Sequence, residues 1–287
     1  MADEKALKAL IAWWEEAGIP LDEPIVRPRA AAAPAARQSP AQAPAGQAPT
    51  SQATASQTRS SEARPAAATA ASAKAAGFGD ADSDGPGARE LVAKADTLDA
   101  LRTAIEGFHG CPLRNTARNT VFARGNPAAK IMVIGEAPGR DEDMEGVPFV
   151  GPAGHLLDRI FASIGLAPDQ LYITNVINWR PPGNRSPTQE EIATCLPFIE
   201  RHIALIKPDV LVLAGDIAAR TLLDTGSNIT KLRGRWADYP LRDAAGEPTG
   251  ATIPALPTFH PAYLLRRTAE KRFVWKDMLA LAKRLEG

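Results

Sequence analysis

Ile131-Met132-Val133-Ile134-Gly135-Glu136-Ala137-Pro138-Gly139 is the stretch whose reading decides the fold. Its four apolar residues, too few for a helix, read as a buried strand, and the Gly and Pro that follow stop it abruptly. The next backbone groups emerge at the carboxyl edge of a sheet, where open α/β sheets hold their ligands. Gly146-Val147-Pro148-Phe149-Val150-Gly151 and Ala153-Gly154-His155-Leu156-Leu157 follow shortly and extend what reads as an active-site wall.

Outward from this strand, the pattern alternates. Helices are expected at about Gly154 to Ile164, Thr188 to Ile206 and Asp216 to Asp224, with strands at Leu171 to Ile177 and Val210 to Ala214 between them. A late strand falls near Thr258 and a closing helix at about Phe273 to Leu285. Strands alternating with helices predict an α/β fold of three layers, α/β/α, around a central, mostly parallel sheet.

The 287 residues divide by composition. In residues 1–26, Leu7, Leu10, Ile11 and Trp14 recur at helical spacing before Gly18 and Pro20, which predicts a short amphipathic helix. Such a helix is marginal alone and packs either on the body of the protein or on a protein partner. Residues 27–87 are Ala, Pro, Gln, Ser and Thr with almost no large apolar side chains, so they read as a disordered linker. Residues 88–287 form the expected catalytic domain, with Leu91, Leu98, Leu101 and Ile105 packing at its start.

Lys plus Arg and Asp plus Glu both number 33, so global charge gives no argument for a polyanionic partner. The excess is local: from Thr258 onward seven Lys or Arg face three Asp or Glu. Two distant cysteines and a charged amino terminus argue against a disulfide framework, a secretory signal and a membrane span. A cytoplasmic monomer is expected.

Three clusters carry chemistry. Gly-Glu-Ala-Pro-Gly lacks the Gly-x-Gly-x-x-Gly spacing of a dinucleotide fold and the Lys-Ser/Thr ending of a P-loop. Tyr172-Ile173-Thr174-Asn175-Val176 closes a strand with an asparagine that can offer both donor and acceptor to an amide edge, or simply cap the next loop. The loop Arg180-Pro181-Pro182-Gly183-Asn184-Arg185 follows it. In Thr258-Phe259-His260-Pro261-Ala262-Tyr263-Leu264-Leu265-Arg266-Arg267, a histidine fixed by proline stands beside leucines and arginines, which suits a loop that meets an anion and wedges a duplex.

Together and in this order, from roughly Leu101 to Leu285, these clusters resemble family 4 of the uracil-DNA glycosylase superfamily. The resemblance implies a monofunctional glycosylase that hydrolyses the N-glycosidic bond of deoxyuridine in DNA, leaving free uracil and an abasic site. It implies that Phe149 stacks on the extruded uracil, that Asn175 reads its edge, and that Gly135 and Ala137 complete the uracil pocket. Tyr172 or Tyr263 remain alternative stacking residues. His260 would stabilise the departing base, with Glu136 and Asn184 sharing the sugar and the water. Pro261, Leu264, Leu265, Arg266, Arg267 and Arg185 would meet the DNA, the leucines filling the gap left by the flipped nucleotide. The alternatives are a non-catalytic module binding uracil or abasic sites, and a glycosylase of the same fold for hypoxanthine or mismatched thymine.

In one respect the chain departs from that family. The resemblance implies four cysteines around an iron–sulfur cluster, and the four positions read Phe108, Cys111, Trp179 and Cys195. Two thiolates cannot hold a four-cysteine cluster, so no cofactor is expected, with Phe108 and Trp179 filling its volume. Zinc on Cys111, Cys195, His109 and His202 is the other option, but their spacing matches no zinc motif.

Overall fold

The computed structural model describes residues 87–286; the amino-terminal helix and all but the last residue of the linker lie outside the described residues. The elements in chain order are α1 (Ala88–Ala93), α2 (Leu98–Glu106), β1 (Arg124–Gly125), β2 (Ile131–Gly135), α3 (Arg140–Glu145), α4 (Pro152–Ala162), β3 (Leu171–Asn175), α5 (Gln189–Ile206), β4 (Val210–Ala214), α6 (Asp216–Leu222), α7 (Ile229–Leu232), β5 (Ala237–Arg242), β6 (Pro248–Thr258), α8 (Pro261–Arg266) and α9 (Lys271–Leu285).

The sheet runs β1-β3-β2-β4-β6-β5. Its four central strands are parallel, and the two edge strands are antiparallel to their neighbours. Every residue of β2, β3 and β4 is buried, as a sheet covered on both faces requires. Alternation along β2 assigns the faces. Met132 and Ile134 join a core with Leu101 and Ile105 of α2 and Phe198 and Ile203 of α5. Ile131 and Val133 join one with Leu157 and Phe161 of α4 and Met278 and Leu281 of α9. The described residues thus form a three-layer α/β/α sandwich.

Element ends are set by local chemistry. Thr188 caps α5 reciprocally with Glu191, its Oγ1 accepting from Glu191 N at 3.2 Å while Thr188 N donates to Glu191 Oε2 at 2.7 Å. The expected strand to Ile177 stops at Asn175, but its chain stays paired: Val176 N donates to Gly135 O (3.0 Å) and Ile177 N to Glu136 O (3.1 Å). The hairpin of β5 and β6 is longer than the single late strand expected near Thr258. Pro240, Pro248 and Pro254 disguise it, because proline is tolerated mainly at strand edges.

Since the chain leaves β2 for β3 on one side and reaches β4 on the other, the order reverses at β2. A crevice outside the carboxyl ends of these strands is the expected ligand site of such a sheet.

Candidate active site at the carboxyl edge of the sheet

A cavity of about 570 Å³ opens there, walled by Glu136, Phe149, Asn175, Asn184 and His260 among others. One wall comes from three close approaches. Gly135 and Asn175 are register partners at the ends of β2 and β3. A Cβ on Gly135 would stand 2.4 Å from Asn175 Oδ1 and 2.6 Å from the Phe149 ring, so only glycine lets both side chains converge. Phe149 has φ 56°, an unusual conformation for a bulky residue, and its carbonyl sits so close to Gly154 that a Cβ there would lie 1.7 Å away. Asn175 is 3% exposed, yet its Oδ1 has no hydrogen-bond partner among the described residues.

His260 forms the facing wall. It caps α8, its Nδ1 accepting from Ala262 N at 3.1 Å. An accepting Nδ1 carries no proton, so the neutral ring holds its hydrogen on Nε2. Burial, helped by the nearby Arg266 charge, pushes its pKa down to about 4, which keeps the ring neutral at physiological pH. Gly215, at φ 106°, lies close enough that a Cβ would meet that of His260 at 3.1 Å. The Phe149 and His260 rings are 5.5 Å apart and 28° from parallel.

At the mouth, Glu136 is held above the usual carboxylate range by burial, an effect opposed by a hydrogen bond from Ser186 and reinforced by Asp216. Asn184 lies on the loop after β3 at φ 55°. Arg180 Nε donates to its Oδ1 at 2.6 Å. Arginine has no acceptor, so this bond fixes the amide with its oxygen toward Arg180. Arg180 itself leans on Asp143, with 3.9 Å between Nη1 and Oδ2.

The model of the uracil DNA glycosylase superfamily matches residues 122–279, which contain all of these groups and more than half of the chain. The chain belongs to the uracil-DNA glycosylase superfamily. It is 38% identical over 176 residues to the type-4 uracil-DNA glycosylase of Archaeoglobus fulgidus, covering 60% of this chain and 85% of that protein. With the type-4 enzyme of Thermotoga maritima it shares 36% over 191 residues, 66% and 94% of the two chains. A segment of the DNA polymerase of Bacillus phage SP01 is 30% identical over 165 residues, 57% of this chain but 17% of that protein.

At this cavity, the residues expected from sequence separate into two groups. Glu136, Ala137, Phe149, Asn175, Asn184, Arg185 and His260 converge on the cavity. Gly135 does not line it and instead provides the room for Phe149 and Asn175. Arg266 lines it and Arg267 is exposed next to it. The expectation for Leu264 needs correction: it is 0% exposed and packs in the core beneath α8, so only Leu265, 45% exposed, projects outward. The helix explains the split: at 3.6 residues per turn, successive side chains are turned about 100° from each other, so Leu264 meets the core while Leu265 is carried round to the exposed side. Pro261 is buried too and starts α8, where a missing N–H costs nothing. Arg185 is engaged with Glu191 at 2.7 Å and 2.9 Å through two nitrogens.

Tyr172 is removed as a stacking alternative. Its hydroxyl bonds His202 Nε2 at 2.7 Å inside the core, on the α5 side of the sheet. Tyr263 does line the cavity. Several participants had not been singled out from sequence: Arg180 as the partner of Asn184, Ser186 as that of Glu136, and Glu142, whose carboxylate bonds three backbone amides. Polar residues in a loop carry no periodicity, so only the folded geometry reveals them.

The four cluster positions do come together, but their chemistry does not suit a cluster. The Cys195 thiol hydrogen-bonds Cys111, and that bond together with burial pushes its pKa well up. Both cysteines are fully buried. The Phe108 and Trp179 rings stack at 6.4 Å, and Phe198 meets Phe108 edge-on at 5.0 Å. Two sulfur donors and packed aromatic carbon do not match four-thiolate ligation. The zinc alternative fits no better: His202 is bonded to Tyr172 and His109 to Arg114. Among the described residues no group of three or more His, Cys, Asp or Glu is placed to hold a metal ion.

Proposed function

We propose that this protein is a monofunctional uracil-DNA glycosylase that hydrolyses the bond between uracil and deoxyribose in DNA without an iron–sulfur cluster. Its type-4 relatives are uracil-DNA glycosylases, and the family match spans the whole site. The observation that carries the reading is Asn175 Oδ1, a buried acceptor at the cavity wall with no partner among the described residues. An unsatisfied buried polar atom is costly unless a ligand answers it. Uracil answers with N3–H, and the same amide's NH2 then meets O4.

The base enters extruded from the stack and lies against the face of Phe149. As the glycosidic bond lengthens, negative charge gathers on uracil O2, and the neutral His260 donates its Nε2–H there. Such a donor acts most strongly in the transition state. Glu136 and Asn184 divide the remaining work by hydrogen-bond type. Glu136 is the acceptor that orients water toward C1′ and takes its proton, a role suited by its raised pKa. Asn184, its oxygen engaged by Arg180, offers only a donor to sugar or phosphate. Among the described residues that line the cavity none is a lysine, which supports hydrolysis rather than Schiff-base lyase chemistry.

Leu265 fills the gap left by the flipped nucleotide, while Arg266 and Arg267 approach phosphate. The enzyme acts as a monomer in the cytoplasm, and its amino-terminal segment serves a protein partner. No helix among the described residues is long and apolar enough to cross a membrane. The test is multiple-turnover release of free base from oligonucleotides bearing uracil, hypoxanthine or mismatched thymine. Release of uracil in excess over enzyme supports the reading; stoichiometric binding without release supports a damage-binding module instead.

A further inference from the structure

Two helices begin at the wall of the cavity, and one carboxylate joins their first turns. Glu142, in α3, reaches back with Oε2 to accept from Gly139 N at 3.0 Å. Its Oε1 accepts from Val150 N at 3.1 Å and Gly151 N at 3.0 Å. Gly139 and Gly151 are the residues that precede α3 and α4. A Cβ on Gly139 would stand 2.8 Å from Glu142 Oε2, and one on Gly151 2.7 Å from Asp141 Oδ2. Glycine at both positions therefore makes room for the acidic turn of α3.

Phe149 stands immediately before the two amides held by Oε1. Its left-handed φ of 56° is a conformation that persists only where the surroundings over-determine it. Gly154 receives its carbonyl from one side and Gly135 its ring from the other. The amides of Val150 and Gly151, pinned to Glu142, supply the third constraint.

We propose that Glu142, itself a residue of the cavity lining, is a positioning residue that fixes Phe149 as the stacking platform for the extruded base, acting through the backbone amides of Val150 and Gly151. The inference rests on the glycosylase reading above. Replacement by Gln keeps the shape but presents an NH2 to at least one backbone N–H, and donors facing donors release the loop.

The experiment is a double-mutant cycle with kcat and KM measured separately on a single-stranded uracil oligonucleotide. The four proteins are the full chain, Glu142→Gln, Phe149→Ala and the double variant. Glu142→Gln raises KM about tenfold, the scale of a lost base–aromatic stack, with a smaller change in kcat. Once Phe149 is alanine, the same substitution adds little, because the group it positions is gone. Effects on KM that multiply in the double variant, or a fall in kcat with KM intact, overturn the proposal. If Glu142→Gln does not fold by circular dichroism, Glu142→Asp, which keeps the carboxylate on a shorter stem, enters the cycle under the same criteria. Failure of the unsubstituted protein to release uracil sinks the glycosylase reading and this inference with it; release with multiplying effects sinks this inference alone.

Discussion

Gly135 and Asn175 face each other at the ends of adjacent parallel strands, with room between them for no side-chain carbon: a Cβ on the glycine would lie 2.4 Å from Asn175 Oδ1. The acceptor proposed to read uracil is therefore placed by the absence of a methyl group on its neighbour.

Gly135→Ala forces Asn175 and the Phe149 ring apart together. Uracil release then falls by about 100-fold or more in kcat/KM, the scale of an ångström-level misplacement at a reacting centre. Thermal unfolding of the variant, followed alongside, separates this from general loss of structure.

The pH profile of kcat assigns the proton acceptor. Glu136 titrates above the usual carboxylate range, whereas His260 is held down to about 4. Catalysis needs the Glu136 carboxylate and the neutral His260, so kcat declines as pH falls through the raised Glu136 pKa, before His260 gains its proton. Glu136→Gln is slower throughout and loses that decline, staying flat down to about pH 4.

At the cluster positions, Cys111→Ala combined with Cys195→Ala leaves uracil release within a few-fold of the unsubstituted enzyme. Trp179→Ala, which empties a fully buried site and frees the Thr120 hydroxyl from its indole N–H at 3.1 Å, destabilises by about 3–5 kcal/mol in denaturant unfolding. Stoichiometric iron and sulfide in anaerobically purified protein contradict this account.

His202 makes stability depend on pH. Burial lowers its pKa from 6.5 to about 3, so the unfolded chain binds a proton that the folded one refuses. The contribution is fully present above about 6.5 and is lost progressively as pH falls toward 3. The difference in unfolding free energy between His202→Phe and the unsubstituted protein, measured at pH 7 and pH 4.5, shifts in favour of the variant at the lower pH.

The fold was legible in the sequence because β2, β3 and β4 are short apolar runs between amphipathic helices, and periodicity reports burial directly. The β5–β6 hairpin was not, since its strands are half-exposed and carry prolines. At the site, Gly135 and Asn175 end strands and His260 stands between a strand and a proline, so chain position draws attention to them, whereas Phe149 lies between two helices and takes its role only from the family resemblance. Leu264 and Leu265 look equivalent in sequence; only the orientation of α8 sends one into the core. Arg180 and Glu142 act through backbone or neighbouring side chains, a relationship that exists only in three dimensions.

The central claim is that this cavity reads and releases uracil, and the most direct measurement compares the unsubstituted protein with Asn175→Ala on a uracil oligonucleotide, following free uracil at multiple turnover. The expected result is release in excess of enzyme by the former and a loss of about 100-fold or more in kcat/KM by the latter, because the alanine variant offers the base edge no hydrogen bond. Equal rates from the two proteins, or tight binding with no uracil released by either, would contradict it.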